Sequence, residues 1–164
     1  MNTLKELTTN ITNLQSVSNT NLNYLNNLST SMENFYDEMA DDLIYEIRIS
    51  LYAMDSIVEG IKKVYDISSK ELPIFLEEPN TLMVEIWGLV VEVKYTLYDI
   101  MTLCIIYSAM EETARQLQEG GRVEGSIVDD VSSGVGVLDE FITRIETLNL
   151  ILSNYNSMMK GGIL

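Results

Sequence analysis

Apolar residues recur at steps of three and four along almost the whole chain, which is the spacing that lines one face of an α-helix. Leu4, Leu7, Ile11 and Leu14 open the pattern, polar Ser18 and Asn21 interrupt it, and Leu25 and Leu28 resume it. The same steps continue through Met32, Phe35 and Met39, then change phase into Leu43, Ile47, Leu51, Met54, Ile57, Ile61 and Val64. Thr30-Ser31-Met32-Glu33 has the form of a capping box and predicts a break near residues 29–31. A similar four-residue match at Thr143 to Glu146 lies inside a helical run, so the first two segments could equally form one rod.

Residues 68–80 carry both prolines and interrupt the pattern, because proline lacks the amide donor and crowds the preceding turn. Asn80 is then a good cap for a third helix, whose expected seam is Leu82, Ile86, Leu89, Val93, Leu97, Ile100, Leu103, Tyr107, Met110, Ala114 and Leu117. Gly120-Gly121 ends it. A last helix starts near Ser126 and runs through Val131, Val135, Leu138, Ile142, Ile145, Leu148, Leu152, Tyr155 and Met159, with Gly134 and Gly136 marking a close approach or a kink.

The pattern therefore predicts an all-α chain with helices over about residues 3–28, 31–67, 80–119 and 126–159, a proline linker over 68–80 and a flexible tail over 160–164. At 164 residues it fits a single domain. The architecture is an elongated antiparallel helical bundle of four helices, or of three if the first two are continuous. The first 34 residues hold nine asparagines, a composition poor in helix propensity, so this segment is expected to be mobile or to depend on a partner.

Composition narrows the chemistry. With no histidine and one cysteine, the chain lacks the residues for a histidine-based triad, a histidine general base or a thiolate zinc cluster. Cys104 sits in an apolar run and reads as a packing residue. A net charge of −15 opposes direct binding of nucleic acid. The amino-terminal sequence lacks the basic and apolar segments of a signal peptide, so an intracellular, cytoplasmic place or a place in a virion is expected. Frequent isoleucine, asparagine and tyrosine suit an AT-rich genome, cellular or viral.

Two surfaces stand out. Residues 82–107 are apolar on nearly all faces, but Glu85, Glu92, Lys94 and Asp99 would make a membrane span costly. A second apolar face of this helix, with Val84, Trp87, Val90, Val91, Tyr95, Tyr98 and Ile105, is instead expected to dock on another subunit, anchored by Trp87, Tyr95 and Tyr98. The other surface is acidic. Residues 35–78 carry eleven acids against four bases, and Glu33, Asp37 and Asp41 fall at helical spacing beside Glu38 and Asp42.

The leading expectation is a non-enzymatic structural or scaffolding subunit, acting by helix–helix association in a homo- or hetero-oligomer and needing no cofactor. The alternative is an acidic charge mimic or adaptor that binds a basic, nucleic-acid-binding protein through Glu33, Asp37, Glu38, Asp41 and Asp42. A third reading, a Mg²⁺-dependent all-α nucleotide hydrolase, requires two acidic pairs. Only Glu38-Met39-Ala40-Asp41 has the Glu-x-x-Asp spacing, and no basic phosphate-binding cluster accompanies it.

Overall fold

The computed structural model describes residues 3–35, 40–71, 74–116 and 126–161. Among them are five α-helices: α1 (Thr3–Glu33), α2 (Ala40–Glu71), α3 (Glu77–Gln116), α4 (Ser126–Ser133) and α5 (Val135–Lys160). Helix α4 leads into α5 through Gly134 alone, so the chain forms four rods. Each rod packs on two neighbours in a ring: α1 on α2, α2 on α3, α3 on α5, and α5 back on α1. The fold is an all-α helical bundle.

Side-chain contacts fix the directions. Ser50 Oγ reaches the Tyr24 carbonyl at 3.5 Å, and Gly60 lies against Leu14, so α1 and α2 run antiparallel. Lys94 bonds to Asp55, and Ser108 Oγ donates to Asp41 at 3.1 Å, which sets α3 antiparallel to α2. Arg144 bonds Glu85 at 3.1 Å while Gly134 packs on Ile100, which sets α5 antiparallel to α3. Gln15 Nε2 donates to the Asn149 carbonyl at 3.0 Å, and Asn156 Nδ2 donates to Thr12 Oγ1 at 3.3 Å, closing the ring between α1 and α5.

The core runs the length of the ring. Leu7, Ile11, Leu14, Leu25, Leu28 and Met32 of α1 meet Leu43, Ile47, Met54, Ile57, Ile61 and Val64 of α2. Val131, Leu138, Phe141, Ile145, Leu148 and Leu152 complete it from the last rod. Helix α1 forms one wall of the bundle, with α2 and α5 as its partners. Its polar gap is absorbed into the core, with Ser18 1% exposed and without a hydrogen-bond partner for its hydroxyl.

Several boundaries differ from expectation, each for a local reason. The first helix does not stop before Thr30. Met32 continues the buried stripe of Leu25 and Leu28, and its burial outweighs the capping signal. The Thr30 carbonyl accepts the Asn34 amide at 3.0 Å instead. The second helix begins at Ala40, so α1 and α2 are separate rods, and it extends through Ser68 to Glu71. Pro79 lies within the first turn of α3, where the amides have no helical acceptor and a proline costs little. Asn80 is inside that helix and caps nothing; it accepts a hydrogen bond from Ser68 Oγ at 2.5 Å, pinning the end of α2 to the start of α3.

Gly134 breaks the last rod because of a close approach. A Cβ there would stand 2.6 Å from Ile100 Cδ1, 3.1 Å from Met32 Cε and 3.2 Å from Thr96 Cγ2. Gly161 caps α5, with its amide bonded to the Ser157 carbonyl at 3.0 Å. Gly120-Gly121 and residues 162–164 of the expected tail lie outside the described residues.

A second apolar stripe on the third helix

Helix α3 spans 40 residues, a rod of about 60 Å at the α-helical rise. Its inner stripe is Met83, Ile86, Val90, Val93, Leu97, Ile100, Cys104 and Tyr107, all buried at alternating steps of three and four. This corrects the expected seam: Leu82, Leu89 and Leu103 are only half-buried at its edge, and Met110 is exposed. Val90, expected on the outer face, belongs to the core at 6% exposure.

An outer stripe has the same rhythm. Val84, Gly88, Val91, Tyr95, Tyr98, Thr102, Ile105 and Ala109 follow at alternating steps of four and three, and all are exposed. The two stripes lie roughly 150° apart round the helix, so what one buries the other presents to solvent. The six residues expected to form an interface, Val84, Trp87, Val91, Tyr95, Tyr98 and Ile105, are between 39 and 68% exposed. They line one face of one helix, and each keeps more than a third of its surface exposed among the described residues. Contiguous apolar surface of this kind is characteristic of interaction sites, because monomers seldom expose it.

The two flanks of the outer stripe differ. On the α2 side, Trp87 meets the Tyr65 ring edge-on, with centroids 6.5 Å apart and planes at 86°, and Lys62 Nζ lies 4.9 Å from the Trp87 ring. Trp87 therefore serves the α2–α3 packing with one part and the stripe with the rest. Lys94, further along this flank, is bonded to Asp55. On the α5 side runs a row of acids seven residues apart: Glu85, Glu92 and Asp99. Glu85 is paired with Arg144, a solvent-exposed bridge that stabilises by at most about 1 kcal/mol; Glu92 and Asp99 are exposed.

Gly88 is informative by contrast with Gly134. A Cβ at Gly88 would meet nothing within 4 Å, as is also true of Gly136. Glycine in a helix interior costs about 1 kcal/mol relative to alanine, and no packing among the described residues requires it. It leaves an opening in the outer stripe between Val84, Val91 and Tyr95.

The acidic cluster is not a single helical face. Glu33 ends α1 while Asp41 and Asp42 begin α2, and the break between Glu33 and Ala40 removes the continuous helix that would have aligned them. Asp37 and Glu38 lie outside the described residues. Asp41 and Asp42 occupy the first turn of α2, where the helix dipole favours negative charge by about 0.3–1 kcal/mol each. Among the described residues no three acidic or cysteine side chains come close enough to share a metal ion. Burial, aided by the negative charge of Asp41, pushes the Cys104 thiol up to about 11, consistent with a packing role.

Other exposed apolar residues had escaped the sequence reading. Tyr45 and Tyr52 of α2 are exposed and seven residues apart; the Asp55–Lys94 and Asp41–Ser108 pairs put them level with Tyr98 and Ile105 of α3. They stand out of phase with the core run of α2, which was the available signal. Ile74 and Phe75 are exposed in the turn before α3. Beside that turn an open cleft of about 670 Å³ is lined by Glu77, Glu78, Thr81, Glu85, Ile151 and Tyr155. No described helix is long and apolar enough to cross a membrane.

The site thus defines a class by architecture alone, a helical bundle with an uncovered apolar helix face. Comparison with family models, curated proteins and solved structures found no match to the chain.

Proposed function

We propose that this protein is a non-enzymatic assembly subunit that docks a helix on the outer stripe of α3. The observation that carries this reading is the second heptad rhythm, from Val84 to Ile105, on a face exposed among the described residues. Apolar residues placed on an exposed face lower solubility and contribute little to the fold, so their repeat over three heptads is explained by a partner that buries them. The large aromatic side chains Tyr95 and Tyr98, with the exposed part of Trp87, are the anchors.

Trp87 is the only tryptophan and borders the stripe, so its fluorescence reports docking directly. Titrated against itself or against a helical peptide with a leucine seam and uncharged flanks, the protein is expected to give a saturable blue shift in at least one of the two. The shift is lost in Tyr98→Asp, whose urea unfolding curve stays that of the unaltered protein. If emission responds to neither titration, or if Tyr98→Asp unfolds the chain, the stripe is not a docking surface.

A further inference from the structure

Given that role of α3, we infer that its occupant is an amphipathic helix with a basic flank, carried by a different protein and not by a second copy of this chain. In a two-helix seam the residues beside the apolar positions face each other and select the partner by charge. Beside the outer stripe those residues are Glu85, Glu92 and Asp99 on one flank and Trp87, Lys94 and Met101 on the other.

A second copy fits this arrangement poorly in either direction. Antiparallel pairing sets the two acidic rows against each other, six carboxylates along one edge. Parallel pairing sets the acidic row against the opposite flank, where Lys94 is already bonded to Asp55 and Lys62 lies over the Trp87 ring. Each copy also brings a net charge of −15. A helix with lysine or arginine every seventh residue meets Glu92 and Asp99, both exposed, in the middle of the seam and is drawn in by the field of the protein. The opening at Gly88, with nothing within 4 Å of the missing Cβ, receives a large apolar side chain of that helix.

Two helical peptides with the same leucine seam, one flanked by lysine and one by glutamate, are titrated into the full chain by calorimetry at low and high salt. The lysine peptide is expected to bind on the order of tenfold more tightly than the glutamate peptide, with the preference shrinking in high salt. The double variant Glu92→Lys, Asp99→Lys reverses the preference, and Tyr98→Asp abolishes binding of the lysine peptide while its unfolding curve is unchanged. Equal binding of the two peptides overturns the basic-flank inference and leaves the docking role standing. Failure of both, with a dimer of the protein that Tyr98→Asp dissociates, overturns the inference in favour of a second copy. Failure of both with no self-association overturns inference and docking role together. Binding that survives Tyr98→Asp puts the basic helix elsewhere and also overturns the inference.

Discussion

Helices α1 and α3 solve opposite problems. α1 is rich in asparagine and threonine and has just enough apolar residues for one stripe, in which Ser18 stands buried with its hydroxyl unpartnered. α3 has enough for two stripes and the bundle uses only one of them. A polar helix with one complete buried stripe is accounted for by its own fold. A helix with an apolar stripe to spare is not accounted for by the fold alone, and the docking proposal for α3 rests on this difference.

The comparison is broken most severely at adjacent residues of α3. Leu97 is fully buried and Tyr98 is 47% exposed, so Leu97→Ala is expected to cost about 2–5 kcal/mol in urea unfolding, whereas Tyr98→Ala stays within about 1 kcal/mol of the parent. Next comes Gly134, where the last rod touches both helices, near Met32 of α1 and near Ile100 and Thr96 of α3. Gly134→Leu overpacks that junction and is expected to lower stability by about 1–3 kcal/mol, read from the same unfolding curves.

Two smaller changes sharpen the contrast by raising stability. Ser18→Ala removes a buried hydroxyl without a partner and is expected to stabilise by about 1 kcal/mol. Gly88→Ala meets open space and is expected to stabilise the isolated chain by up to about 1 kcal/mol. A further change, confined to alkaline pH, acts through Cys104. An unfolded thiol titrates near about 8.5, while the folded one is raised to about 11. Between these values the unfolded chain has lost a proton that the folded chain keeps, so stability falls as pH rises through the window and Cys104→Ala removes that part of the fall.

The rods were legible in the sequence because most of the chain is amphipathic in one sense: Leu43 to Val64 in α2 and Val131 to Leu152 in the last rod could face only one way. The core of α3 was not, and for the same physical reason. With apolar residues nearly all round the helix, periodicity does not say whether Leu82, Leu89 and Leu103 or Met83, Val90 and Cys104 point inward; the positions of α2 and α5 decide it. The outer residues Val84, Val91, Tyr95, Tyr98 and Ile105 were legible, since they share a face whichever seam is chosen. The acidic face was misjudged because its alignment assumed an unbroken helix from Glu33 to Asp41, and the burial of Met32 at the end of α1 shows that local capping signals yield to tertiary packing.

The most direct test of docking on α3 is chemical-shift mapping of the isotopically labelled chain on addition of the lysine-flanked helix. The account predicts that the perturbed residues form one stripe, centred on Val84, Val91, Tyr95, Tyr98 and Ile105 and reaching Tyr52. Shifts concentrated at the cleft beside Glu77 and Glu78, or on α1, would contradict it.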